Sequence, residues 1–65
     1  MNFYENYISM CIEFGKSPSG AAQEMGIARQ SVSRWKKGSI PTDENLMKIA
    51  RYFGKTFTEM KALAQ

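Results

Sequence analysis

Within nine residues, the stretch RQSVSRWKK from Arg29 to Lys37 is rich in hydrogen-bond donors, among them Arg29, Gln30, Ser33, Arg34, Lys36 and Lys37, and holds no acid. Guanidinium, ammonium, amide and hydroxyl groups all donate hydrogen bonds, and the two arginines donate through a planar fork. Their chemistry is recognition of acceptors such as anionic oxygens and the polar edges of planar rings. At helical spacing, Gln30, Arg34 and Lys37 form one stripe at i, i+4 and i+7, with Arg29 and Ser33 beside it. Val32 and Trp35, three apart, face the other way. A charge run is often only a solvated face, so the significance of the stripe depends on what holds it.

Charge is unevenly distributed around this stretch. Residues 1–28 set Lys16 against Glu5, Glu13 and Glu24, a sum of −2, whereas residues 29–41 reach +4 through Arg29, Arg34, Lys36 and Lys37. The remainder adds +1, so the chain's net charge of +3 is concentrated in one segment. Such a concentration is the electrostatic footprint expected of a partner rich in phosphate.

At 65 residues the chain is one domain, expected to span 1–65, with a small core. With 43% hydrophobic and 23% charged residues it has the composition of a soluble globule, and no apolar run approaches the roughly 18 residues of a membrane span. The start, MNFYENYISM, lacks a basic stretch before an apolar block, so the expected location is cytoplasmic. One cysteine, Cys11, and no histidine exclude an internal disulfide and leave no ligand set for a structural zinc, so no metal or cofactor is expected. Cys11 reads as a buried small hydrophobe. No paired carboxylates, catalytic histidine or phosphate-cradling glycine loop points to an enzyme.

Five helices are expected to position the donors. The first, from Asn2 to Phe14, has an apolar face of Phe3, Tyr7, Ile8, Met10, Cys11 and Phe14, and Gly15 ends it. Ser17 and Pro18 then read as an N-cap and first helical residue for a helix running to about Met25. Its Gly20 costs about 1 kcal/mol relative to alanine, so packing must hold the helix. Ala21 and Ala22 are small because another helix crosses close to them. Gly26 supplies a positive φ for a tight turn, Ile27 plugs the corner, and a third helix runs from Arg29 to about Lys37 before Gly38. After Ser39, Ile40 and Pro41, Thr42 caps a fourth helix with Asp43 and Glu44 in its first turn. Leu46, Ile49, Ala50 and Phe53 are its inward residues, and Gly54 ends it. Thr56 and Glu59 form a capping box for a fifth helix, about Phe57 to Ala64, packed through Phe57, Met60 and Leu63. Tyr4, Tyr7 and Tyr52 read as packing or rim residues.

The stretch GAAQEMGIARQSVSRWKKGSIP, followed by LMKIARYF, resembles the helix-turn-helix domain of lambdoid repressors, Cro proteins and Xre-type bacterial regulators. The resemblance runs from about Ile8 to Leu63 and rests on a combined set: Ala22, Gly26, Ile27, Val32 and Trp35 as the structural motif, then Gly38, Pro41, Leu46, Ile49 and Ala50. It implies an all-α, compact five-helix lambda-repressor-like fold with the helix-turn-helix at helices 2 and 3. It further implies that helix 3, about 29–37, enters the DNA major groove. Carried over by position, Arg29, Gln30, Ser33 and Arg34 become base contacts. Ser17, Ser19, Lys36, Lys37, Ser39 and Thr42 become phosphate contacts.

Two positions depart from the family pattern. Many relatives open helix 2 with glutamine; Pro18 has neither amide nor side-chain donor, so the phosphate clamp falls to Ser17 or Ser19. An arginine–glutamate pair between helices 1 and 3 is replaced by Cys11 and Lys36, which frees Lys36 for solvent or phosphate.

The function implied is a sequence-specific double-stranded DNA-binding transcriptional regulator, a phage-type or bacterial repressor acting as a homodimer on a palindromic operator. A protein-interaction module of the same fold, an antitoxin, anti-repressor or adaptor, is the competing function. A longer regulator with a further carboxyl-terminal domain is compatible with either.

Overall fold

Each helix but one begins at a side chain that accepts a hydrogen bond from one of its free first-turn amides. In the computed structural model, which describes residues 2–64, α1 (Phe3–Glu13) starts at Asn2, α2 (Pro18–Met25) at Ser17, α4 (Asp43–Phe53) at Thr42 and α5 (Phe57–Leu63) at Thr56. The exception is α3 (Arg29–Lys36), whose N-cap, Ala28, has no side chain to offer. The domain expected over 1–65 is thus described except for its two terminal residues, and it is all-α among the described residues.

The helices pack around one aromatic centre. Trp35 of α3 is 2% exposed and meets Phe3 and Tyr7 of α1 edge-on, with ring centroids 5.5 and 5.3 Å apart. Tyr7 in turn meets Phe53 of α4 edge-on at 6.3 Å. Edge-to-face geometry sets the positive rim of one ring against the negative face of another, adding to the burial of large apolar area. Leu46, Ile49 and Ala50 of α4 and Met60 of α5 complete the core, and Cys11 is buried within it as expected. Ala21 and Ala22 are buried where α2 packs against its neighbours α1, α3 and α4.

Several expectations need correction. Helix α1 ends one residue earlier, at Glu13, so Phe14 is its C-cap and is 50% exposed; its ring still meets Phe53 edge-on at 5.0 Å. Helix α3 ends at Lys36 rather than Lys37. Phe57, expected to pack, occupies the first position of α5 and stays partly exposed, with the Lys61 ammonium 5.7 Å above its ring. Ala64, just beyond α5, is buried instead. Val32 is only half-buried, packed against the core rather than within it.

Gly20 has a steric reason. Its amide donates to Ser17 Oγ at 3.0 Å, and a Cβ built on Gly20 would lie 2.8 Å from that same oxygen. The cap occupies the space an alanine methyl would need.

Candidate nucleic-acid interface

The turn between α2 and α3 sets the angle at which the donors are presented. Gly26 has φ 75° and ψ 27°, the left-handed conformation that costs an L-residue with a Cβ about 1–2 kcal/mol. The amide of Ile27 donates back to the carbonyl of Ala22 at 2.9 Å, and the Ile27 side chain is buried in the corner. Beyond the corner α3 has no side-chain cap, and its fixed point is Trp35 at the far end.

With Trp35 buried, Arg29, Gln30, Ser33, Arg34, Lys36 and Lys37 all lie exposed. Among the described residues the ion pairs are Lys16–Glu24, Lys48–Glu44 and Lys61–Asp43, so none of the four cations of residues 29–37 is paired. The contrast follows from sequence: no acid lies in or next to α3.

The donors divide between two sides. Arg29, Ser33 and Lys36 line a groove of about 460 Å³ together with Ser19 and Gln23 of α2 and Tyr4 of α1. Buried Ala22 and Ile27 and half-buried Val32 give this groove its apolar surface. Gln30, Arg34 and Lys37 lie outside it, on the stripe at i, i+4 and i+7. Of the expected phosphate contacts, Ser19 and Lys36 therefore share the groove, whereas Ser17, Lys37, Ser39 and Thr42 stand outside it.

Some of these candidates already have structural roles. Ser17 Oγ and Thr42 Oγ1 accept the amides of Gly20 and Asn45, at 3.0 and 3.2 Å, and each hydroxyl keeps its proton to donate elsewhere. The end of α3 closes through Gly38 at φ 108°, and the Ser39 amide donates to the carbonyl of Arg34 at 2.9 Å. This is the Schellman arrangement, and it leaves Ser39 only its hydroxyl for a ligand.

Behind the interface, Tyr7 is fully buried and its hydroxyl donates to the carbonyl of Pro18 at 2.7 Å. Burial pushes its phenol well above the ordinary range, with a smaller contribution from the nearby Cys11 thiol, so it stays a donor. Burial also raises the Cys11 thiol, although a hydrogen bond with Tyr7 opposes the shift. On the opposite side of α2, Tyr52 donates to Glu24, which also pairs with Lys16. The hydrogen bond from Tyr52 and the one from Lys16 hold the Glu24 carboxyl below its usual range, and the same bond pushes Tyr52 up to about 12.

Sequence reading missed Tyr4 and Gln23 as groove residues and Tyr7 as the tie between α1 and α2. A signal for Tyr7 existed: a phenol at an apolar helical position must find an acceptor once buried. Among the described residues no cluster of side chains is arranged to hold a metal, and no helix is long and apolar enough to cross a membrane.

Neither a curated protein nor a solved structure matches the chain. Residues 9–60, however, match the profile of the HTH_3 helix-turn-helix family, a span that takes in the motif residues Ala22, Gly26, Ile27, Val32 and Trp35. With α2, the Gly26 turn and α3 arranged as described, the chain belongs to this Xre and lambda-repressor-like helix-turn-helix family of DNA-binding regulators.

Proposed function

We propose that the chain is a sequence-specific repressor of transcription that sets α3 in the major groove of double-stranded DNA. Arg29, Gln30, Ser33 and Arg34 meet base edges, and Ser17, Ser19, Lys36, Lys37, Ser39 and Thr42 meet phosphates. The observation that carries the reading is the unpaired, acid-free set of donors on an α3 whose back is fixed by Trp35. Gln30 has the amide geometry to pair with an adenine edge, and Arg34 the fork to pair with guanine, each contributing about 1–3 kcal/mol of discrimination.

The working form is a homodimer in the cytoplasm on a palindromic operator, with two α3 helices about 34 Å apart in successive major grooves. Met47 and Phe57, large apolar side chains exposed on α4 and α5, support pairing through those helices. The competing reading, a protein-interaction module such as an antitoxin, anti-repressor or adaptor, draws on the exposed Ile12 and Ile40.

Selection of bound sequences from random duplex DNA separates the two readings. A repressor enriches a palindrome, and Gln30→Ala loses preference at one base position in each half-site. With about four to six phosphates neutralised by a dimer, log affinity falls against log salt with a slope of about −4 to −5. No enriched sequence, or an affinity untouched by Arg29→Ala and Arg34→Ala together, overturns the DNA reading in favour of the protein-interaction module.

A further inference from the structure

We infer that the groove bounded by Tyr4, Ser19 and Lys36 seats the sugar-phosphate backbone of one DNA strand, with the Tyr4 hydroxyl donating to a phosphate oxygen. The inference rests on the DNA-binding reading above and brings α1 into an interface so far assigned to α2, α3 and the loop after α3. Three independent features of the groove favour this occupant.

The first is its charge. Arg29 and Lys36 lie on the same side of α3, seven residues and so about 10 Å apart along the axis, and no acid lines the space between them. Neither cation has an ion-pair partner among the described residues; of the cations outside residues 29–37, Lys16, Lys48 and Lys61 have one and Arg51 and Lys55 do not.

The second is the state of its hydroxyls and amides. Of the three tyrosines, Tyr7 donates to Pro18 and Tyr52 to Glu24, but the hydroxyl of Tyr4 has no hydrogen-bond partner among the described residues. In the same groove, Ser19 in the first turn of α2 presents both a hydroxyl and an amide that no backbone carbonyl accepts from. Tyr7 fixes that turn relative to α1 through Pro18, so Tyr4 and Ser19 are held in the lining of one groove.

The third is the mixture of surfaces. Ala22, Ile27 and Val32 give the groove an apolar base beneath polar walls. A nucleic-acid backbone alternates in the same way, with the carbon face of a sugar between charged phosphates. An open groove suits a continuous strand better than a small ligand, which is normally enclosed over most of its surface.

The test compares affinity and salt slope for Tyr4→Phe, Lys36→Gln, Gln30→Ala, Arg34→Ala and the control Lys48→Gln, on the selected operator and on random duplex. Tyr4→Phe should weaken binding of the dimer to both duplexes about 5- to 100-fold, the range of two lost hydrogen bonds, one from each protomer, without changing the salt slope or the thermal midpoint of the free protein. Lys36→Gln should weaken both duplexes alike and, with one lysine lost from each protomer of the dimer, make the slope shallower by about 2. Lys48→Gln removes an equal charge from α4 and should change neither. If Tyr4→Phe and Lys36→Gln both bind as tightly as the parent while Gln30→Ala loses its base preference, the groove assignment is overturned and the DNA reading stands. If Arg34→Ala and Gln30→Ala are silent as well, both fall together.

Discussion

Helices α3 and α4 are stabilised in opposite ways. Helix α4 runs for 11 residues, starts at a capping threonine, carries Asp43 and Glu44 in its first turn and pairs both of them with lysines. Among the described residues three of its four charges are thus paired within the protein, with Arg51 the exception, and four of its residues are buried. Helix α3 is 8 residues long, has no side-chain cap, no acid in its first turn and one fully buried side chain, Trp35. A helix this short is unstable alone in water, so α3 exists because α1 holds it from behind. The difference teaches how a small domain keeps a helix available: groups that would stabilise α3 from its own surface are left open, and the stability comes from the opposite side.

The sharpest way to break this contrast is Trp35→Ala. Removing a buried tryptophan costs about 3–5 kcal/mol, against a total of about 3–10 kcal/mol for a domain of this length. Denaturant titration should therefore show global stability lowered by about 3–5 kcal/mol, the largest loss among these variants. A variant that merely loosened α3 and left the rest as stable as before would contradict the account of Trp35 as the common anchor. Next in size, Thr42→Ala removes the cap of α4 and should lower stability by about 1 kcal/mol in the same titration. The converse change, Ala28→Ser, gives α3 the cap it lacks. The Ala28 backbone, at φ −64° and ψ 144°, already has the extended conformation of a capping residue. A gain of about 0.5–1 kcal/mol is expected, and a loss would mean that the start of α3 is constrained by something other than its missing cap.

The smallest effect concerns the contacts of α2 with α4. Glu24 is held below its usual range by Tyr52 and Lys16, so its contribution is present above the ordinary glutamate pKa and disappears as pH falls through the lowered folded value. Tyr52, pushed up to about 12, contributes in the opposite sense: its part is complete below the ordinary tyrosine pKa and is lost as pH rises through the raised one. Thermal midpoints of Glu24→Gln should thus fall less than those of the parent between neutral and acid pH. Parallel pH curves would remove Glu24 from the list of groups that tie α2 to α4.

Much of the fold was legible because the chain is punctuated. Ser17, Thr42 and Thr56 mark helix starts and Gly15, Gly26, Gly38 and Gly54 mark ends, and both signals are local chemistry that a sequence displays directly. The inward residues of α4 followed from their period alone. Phe14 and Phe57 were misjudged for one reason: a helical pattern shows on which side a residue lies but not whether a neighbour extends far enough to cover it. The capping box of Asn2 and Glu5 was missed even though it is local, because Asn2 read as the first helical residue.

The donors of α3 were legible as residue types and as an exposed arc. Their division was legible in part, since spacing alone sets Gln30, Arg34 and Lys37 on a stripe of their own, but what faces the other side was not. The side on which Arg29, Ser33 and Lys36 meet Tyr4 depends on where α1 and α2 cross α3, and no spacing within residues 29–37 encodes that crossing. The tie from Tyr7 to Pro18 was hidden for the same reason, since the two residues are joined only when α1 folds back against α2.

The position of Trp35 has an optical consequence. It is the chain's single tryptophan, buried against Phe3 and Tyr7 on the side of α3 away from the exposed donors. Its fluorescence is therefore an intrinsic gauge of the seam between α1 and α3. Emission that stays blue-shifted when DNA is added means that α3 binds without leaving its seat, and a red shift means that water has entered the seam.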